Sequence, residues 1–118
     1  MIMRIIRQAV TALAILLAPP AWAEGFLGTY EDLPLAPGLA EVPGSGVVFD
    51  SPSGRIVEAH ASGTVKAADV LRFYAATLPQ LGWTRESDTL YRREAEVLRL
   101  DPVAHGRSLA VRFAITPE

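Results

Sequence analysis

Residues 66–81 of this chain read KAADVLRFYAATLPQL, and their apolar side chains recur at intervals of three and four residues. This interval places them along one side of an α-helix, so the stretch predicts an amphipathic helix. The predicted stripe consists of Ala67, Val70, Leu71, Tyr74, Leu78 and Leu81, with Phe73 beside it. Asp69 lies in the first turn, where its carboxylate interacts favourably with the positive end of the helix dipole. Pro79 is expected to tighten or kink the last turn, and Gly82 to end the helix.

A β-hairpin is predicted on the amino-terminal side of this helix. Residues 47–50 and 55–61 have the composition of strands, and residues 51–54 form a predicted four-residue loop between them. In the second strand, the small apolar residues that share one face are Val57, Ala59 and Ala61. Because small side chains leave room for a bulky neighbour, we expect the helix to pack over this face.

Short strands are also predicted on the carboxyl-terminal side of the helix. They lie at residues 84–86, 90–92, 97–100 and 108–115, and residues 101–106 are expected to be a loop. The last strand has the clearest alternation, with Leu109, Val111, Phe113 and Ile115 on one face.

The order of these elements predicts a two-layer α+β fold. One amphipathic helix packs on an antiparallel sheet built as ββα followed by a β meander, and residues 47–118 form this domain. With 95 residues after position 23, the chain has enough length for one domain with its own core.

Residues 24–46 differ from the rest of the chain. They hold eight prolines and glycines in 23 positions, a density at which regular secondary structure is not expected. Their sizeable apolar residues are Phe26, Leu27, Tyr30, Leu33, Leu35, Leu39 and Val42. We therefore expect an extended arm, which either covers the core of its own domain or serves as a docking segment for a partner.

Residues 1–23 have the three parts of a cleavable signal peptide. Arg4 and Arg7 precede an apolar run over residues 9–18, and small residues stand at the two positions that flank a cleavage site between Ala23 and Glu24. The apolar run is about half of the ~20 residues that a membrane-spanning helix requires. The sequence thus predicts export to the periplasm, with contact to the membrane only during transport.

Composition narrows the classes of function. The chain contains no cysteine, which excludes a thiol nucleophile, zinc held by thiolates and a lipid attached through a cysteine. Without residues 1–23, nine basic and thirteen acidic residues remain, so the net charge is −4. Such a charge gives no general attraction for nucleic acid, and no nucleic-acid partner is expected.

Motifs for catalysis or cofactor binding are absent from the sequence: it contains no HExxH pair, no Gly-x-Ser-x-Gly elbow and no phosphate-binding glycine loop. We therefore expect no cofactor, no metal and no catalytic residue. The best catalytic combination that the sequence offers is Asp50, His60 and Ser62 on neighbouring predicted strands, and surface polar residues are the simpler interpretation.

Three residues are weak candidates for binding. Arg92 and Arg93 lie in a charged hairpin, where arginine side chains suit a carboxylate or phosphate ligand or form exposed ion pairs with nearby glutamates. Trp83 follows the helix and serves either as a platform for a ligand or as a lid on the core.

Residues 73–83, which read FYAATLPQLGW, resemble a helix of uncharacterised small exported proteins of Gram-negative bacteria. The segments at residues 33–39, 48–50 with 54–56, and 91–96 are similar to the same group, in which a turn glycine would be expected at Ala95. The resemblance implies an exported α+β domain and implies no catalytic residue.

Taken together, these patterns favour a non-enzymatic binding or accessory module for a partner in the cell envelope. The alternative is a small-molecule binder that uses space between helix and sheet, and a small hydrolase is the third interpretation. An exposed apolar strip along the arm or a sheet edge would favour the first, and a large apolar cleft with convergent polar groups the second.

Overall fold

The computed structural model of the protein describes residues 25–28 and 33–118. Within them, one α-helix packs against a seven-stranded antiparallel sheet, which confirms the predicted α+β class. The helix α1 spans Ala67–Thr77, and the strands are β1 (Ala40–Glu41), β2 (Val47–Ser51), β3 (Gly54–Gly63), β4 (Thr84–Ser87), β5 (Leu90–Arg93), β6 (Glu96–His105) and β7 (Ser108–Pro117).

The sheet places the last strand beside the first hairpin. Its order is β1-β3-β7-β6-β5-β4, and β2 also pairs with β3 along the same edge as β1. Strands β4 to β7 form the predicted meander, and β7 lies between β6 and β3. Within the β3–β7 pair, Ala59 lies opposite Phe113.

The helix follows its predicted pattern closely. After Thr77 the chain tightens into a 3-10 turn over Leu78–Leu81, because Pro79 lacks the N–H that an α-helix would use there. Gly82 adopts a left-handed φ of 94° and ends the helix. The Trp83 N–H then donates to the Leu78 carbonyl oxygen at 3.1 Å. The tightening at Pro79 and the end at Gly82 are thus confirmed.

The loop of the first hairpin is shorter than predicted. Ser51 pairs directly with Gly54, so the connection has two residues rather than four. The Ser51 hydroxyl donates to the Gly54 carbonyl oxygen at 2.6 Å and reinforces this closure.

Strand β6 extends through the segment predicted to be a loop. It continues to His105, and Pro102 pairs in register with Val111 of β7. On the side of β5, the pairing of β6 ends at Arg99. The Pro102 nitrogen points to this unpaired side, so its missing N–H removes no hydrogen bond between strands and the proline is tolerated.

The turn between β5 and β6 requires no glycine at Ala95. Glu94 and Ala95 connect the paired residues Arg93 and Glu96. Among the described non-glycine residues, Glu94 alone has a positive φ, at 55°. The unusual backbone conformation therefore falls one residue before the expected glycine position.

The core lies between α1 and one face of the sheet. Val57, Ala59 and Ala61 are buried on that face, as the sequence predicts. Tyr74 and Leu78 of the helical segment are also fully buried, and the Tyr74 ring meets the Phe113 ring edge-on with centroids 5.8 Å apart.

The described part of the arm, residues 25–28 and 33–46, lies against the domain. Its buried apolar residues are Leu27, Leu33, Leu35, Ala36 and Leu39, and all five belong to the hydrophobic core. Phe26 and Val42 are exposed, and Tyr30 lies outside the described residues. The arm also supplies β1, in which Ala40 pairs with Ser62.

Candidate functional site

Trp83 and Arg93 form a packed pair at the end of the helical segment. The Trp83 side chain is buried, and the Arg93 guanidinium carbon lies 4.4 Å from the centroid of the indole ring. The Arg93 Nη1 also donates to the Leu81 carbonyl oxygen at 2.9 Å. Since its ring is covered by Arg93 and the core, Trp83 serves as a lid on the core in this structure.

Arg92 lies on the opposite face of β5 from Arg93, because successive residues of a strand alternate. Its Nε is 2.6 Å from a carboxylate oxygen of Glu86, and its Nη1 pairs with Glu118 at the carboxyl end. The structure therefore joins Trp83 to Arg93 and leaves Arg92 apart from both. The positive charge of Arg92 is already matched by two carboxylates.

Asp50, His60 and Ser62 do not come together. Asp50 pairs with Arg55, five residues from His60 along β3, which is about 17 Å at the usual rise of a strand. The same alternation places Asp50 on the helix-covered face, whereas His60 and Ser62 point to the other one. The catalytic combination considered from the sequence is thus not assembled.

The face of the sheet that points away from α1, here called the open face, carries ion pairs at its centre. Arg112 of β7 lies between Glu58 of β3 and Asp101 of β6, with 3.0 Å from its Nη1 to Asp101. The hydrogen bond to Glu58, then the charges of both carboxylates, raise the pKa of Arg112. A partner placed here would have to remove water from these charges, which disfavours apolar docking at the centre.

Two open clefts lie on either side of residues 64–66, which lead into α1. One, of about 460 Å³, is bounded by Ala36 and Pro37 of the arm. The other, of about 480 Å³, is bounded by Gly106 and Arg107 in the β6–β7 turn. The buried residues that line them are apolar, and the polar ones are exposed. Neither cleft has the convergent buried polar groups that are typical of a ligand site.

Strand β2 is the most apolar exposed element. Its residues Val47, Val48 and Phe49 are 46%, 48% and 51% exposed. One side of β2 pairs with β3, and the other side pairs with no described strand. An apolar edge strand with open backbone groups is a recurrent site for the addition of another strand.

The opposite edge of the sheet is different. Strand β4, residues Thr84–Ser87, is polar along its length, and its pairing with β5 shifts between Arg85 and Ser87. Charged side chains and an irregular register are two ways in which proteins prevent edge pairing. Only one of the two edges is thus protected, and β2 is the candidate functional site.

Sequence reasoning recognised β2 as a strand and did not recognise it as a site. The run Val47-Val48-Phe49 lacks the alternation of a half-buried strand, and three consecutive apolar residues are typical of a buried one. The signal that was available is the position of this run, between a glycine-rich segment and a tight turn, at the start of the predicted sheet.

Within the described residues, no group of His, Asp and Glu side chains is placed to hold a metal ion. No helix in the described part of the chain has the length and apolar character to cross a membrane. The predicted cleavage site, Ala23 and Glu24, lies outside the described residues. Comparison with protein-family models, curated proteins and solved structures finds no match.

Proposed function

We propose that this chain is exported to the periplasm and acts there as a non-enzymatic binding or accessory module of the cell envelope. The observation that supports this function is the exposed apolar edge at β2, where Val47, Val48 and Phe49 stand next to unpaired backbone groups. The resemblance of residues 73–83 to small exported proteins of Gram-negative bacteria is part of the same proposal.

The physical basis of binding is strand addition. An added strand would pair its N–H and C=O groups with those on the free side of β2, and its side chains would cover Val47 and Phe49. Covering apolar surface contributes roughly 25 cal/mol per Å² removed from water. Both contributions come from one short segment, so β2 has the properties of a recognition strand.

The alternative of a small-molecule binder has less support. It requires space between helix and sheet, and this space is filled by Tyr74, Leu78 and Phe113, all of them buried. The two clefts instead lie at the beginning of α1 and are open to solvent. We therefore base the proposed function on the β2 edge.

Export is tested by the mass of the protein recovered from the envelope of a bacterial host. Cleavage between Ala23 and Glu24 predicts a mature chain of residues 24–118. A periplasmic fraction that contains this mass supports export. A recovered protein that retains residues 1–23 contradicts it.

Binding at β2 is tested by photo-crosslinking in living cells. A photoreactive amino acid replaces Phe49 in one variant and Val103 in the other. Val103 is a matched control, because it is also 51% exposed and lies on β6, away from β2. We expect a covalent adduct at position 49 and none at position 103. Equal adducts at both positions, or none at either, would contradict binding through this edge.

A further inference from the structure

The free side of β2 presents a defined set of backbone groups. Ser51 and Gly54 close a two-residue loop, and such a closing pair exchanges hydrogen bonds within the hairpin. Because the pattern alternates along an antiparallel pair, Val47 and Phe49 also bond to β3. The N–H and C=O groups of Val48 and Asp50 consequently point outward.

The neighbouring part of the chain supports this assignment. Beyond the end of β2, the backbone of His60 on β3 is satisfied from the same side by residues of the arm. Its N–H donates to the Ser45 hydroxyl oxygen at 3.1 Å, and its carbonyl oxygen accepts from the Val42 N–H at 2.8 Å. The backbone N–H and C=O groups of the even-numbered β3 residues therefore point toward β2 and the arm. Since these residues pair with the odd-numbered residues of β2, the backbone groups of Val47 and Phe49 point toward β3.

From this geometry we infer that the partner of β2 is β2 of a second copy of the chain, in an antiparallel pair that joins the two sheets. The inference rests on the proposed function, because it names the occupant of the same edge. In the favoured register Val48 lies opposite its own counterpart at the two-fold axis. Asp50 of each copy then lies opposite Gly46 of the other copy, the residue that precedes β2.

This register is chosen by charge and by backbone pairing together. A shift that centres the pair on Asp50 places two carboxylates opposite each other, which is unfavourable. A shift that centres it on Phe49 places Val48 opposite Asp50 of the other copy, so that a carboxylate lies beside an apolar side chain. With Val48 at the centre, Asp50 faces a glycine, and the two Val48 residues form a hydrogen-bonded pair with apolar side chains directly opposite.

Side chains also match in this arrangement. Val47 of one copy lies opposite Phe49 of the other, and both project onto the open face, as Glu58 and Ile56 opposite them on β3 do. Such directly opposite apolar pairs bring their Cβ atoms to about 5 Å and stabilise sheets. Val47 and Phe49 are about half exposed in a single copy, and in the pair these residues of the two copies cover each other.

The interface is small, and this determines the expected affinity. One strand of five residues buries much less than the ~800 Å² per partner of a typical stable complex. We therefore expect a reversible dimer whose dissociation constant lies in the micromolar range rather than an obligate one.

Cysteine crosslinking tests the pair directly, since the chain has no cysteine of its own. In the Val48→Cys variant, recovered from the envelope in its processed form, two counterpart residues would have Cα atoms about 5.5 Å apart. This distance allows a disulfide. Mild oxidation should convert most of this variant to a covalent dimer, while Val103→Cys should remain monomeric.

Sedimentation equilibrium supplies an independent measurement. The unsubstituted protein should shift from monomer to dimer as its concentration rises through the micromolar range. Val48→Pro should lose this shift, because it removes an outward N–H and leaves the bonds to β3 in place. Circular dichroism and a urea melt show whether the variant remains folded, and Val103→Ala, which truncates a similarly exposed apolar side chain away from β2, should keep the shift.

Specific results overturn the inference. A folded Val48→Cys protein that stays monomeric on oxidation contradicts self-pairing. Equal crosslinking of Val48→Cys and Val103→Cys contradicts it as well. A monomer at all concentrations whose position 49 crosslinks to a different envelope protein contradicts self-pairing and leaves the proposed function intact. A protein that dimerises through Val48 but is not exported contradicts the proposed function and leaves self-pairing intact.

Discussion

The Tyr74 hydroxyl donates a hydrogen bond of 2.7 Å to the carbonyl oxygen of Pro34. It also accepts one of 3.1 Å from the Ala36 N–H, so that one buried side chain of α1 satisfies two backbone groups of the arm. These groups lie among buried leucines, where a polar atom without a partner would be costly. The hydroxyl therefore connects the arm to the helix at a single point.

The first prediction concerns this connection. Tyr74→Phe should lower the free energy of unfolding by about 1–3 kcal/mol, because it leaves the Pro34 carbonyl and the Ala36 N–H unsatisfied. Urea denaturation measures the change. Tyr91→Phe is a control: Tyr91 is also fully buried, and its hydroxyl interacts with the side chain of Arg85 rather than with two backbone groups. Equal losses in the two variants would contradict the special role of Tyr74.

The second prediction concerns the apolar residues of the arm. Leu33→Ala should cost about 2–5 kcal/mol, since Leu33 is fully buried and its removal leaves a cavity. Phe26→Ala should change stability by less than about 0.5 kcal/mol, because Phe26 is 56% exposed. Thermal or urea melts compare the two. A small effect of Leu33→Ala would show that the arm is not part of the core in solution.

Deletion of the arm through Gly44 extends this comparison. If the arm mainly covers its own domain, the truncated protein should lose several kcal/mol of stability and bind a hydrophobic dye, because five buried arm residues are removed. A truncated protein that melts almost unchanged would instead favour a docking role for the arm.

The third prediction concerns the crossing of the arm over β3. A Cβ atom at Gly63 would lie 1.9 Å from the Gly38 carbonyl oxygen, a distance that the backbone must relieve by moving. Gly63→Ala should thus destabilise the protein by more than about 2 kcal/mol. Gly28→Ala is the control, since among the described residues its Cβ would meet only the Glu41 carboxylate, at an ordinary 3.4 Å. Similar melting temperatures for both variants would argue against the close crossing.

The fourth prediction concerns pH. Burial raises the pKa of Tyr74 above its ordinary value of 10.0, and the hydrogen bond from Ala36 opposes part of this rise. The folded protein therefore keeps a proton that the unfolded chain loses, so this contribution to stability is complete below pH 10 and falls above it.

Measurements at pH 9 and pH 11 test the sign and the size. The unfolding free energy should drop by about 1.4 kcal/mol more in the unsubstituted protein than in Tyr74→Phe, which has no phenol at this position to titrate. An equal drop in the two proteins would show that Tyr74 ionises as readily when folded as when unfolded.

Local sequence signals predicted most of the secondary structure. The three- and four-residue spacing from Ala67 to Leu78 predicted the helix and its buried side, and Pro79 and Gly82 predicted its tightened end. The alternation from Leu109 to Ile115 predicted the face of β7 that forms the core. These features depend on neighbours within about five residues, so they can be read directly from the chain.

Other features depend on where a strand lies in the sheet. Pro102 and the polar residues after Leu100 predicted a loop, and β6 continues because its outer side is free at this point. Likewise, Asp50 and His60 lie on neighbouring strands, and the register that pairs Asp50 with Arg55 separates them along β3 and places them on opposite faces. Register and loop length decide such contacts, and a shift of one residue reverses every face.

The sequence by itself determined the α+β class, the extent and buried side of the helix, and the presence of an apolar arm. Only the tertiary structure decided that the arm is fastened through Tyr74 and that β2 is an open edge. The reason is physical: propensity and periodicity act over a few neighbouring residues, whereas the occupant of a sheet edge or a buried hydroxyl is set by segments far apart in the chain. Val47, Val48 and Phe49 have the composition of a buried strand and are exposed because no described strand lies beyond them.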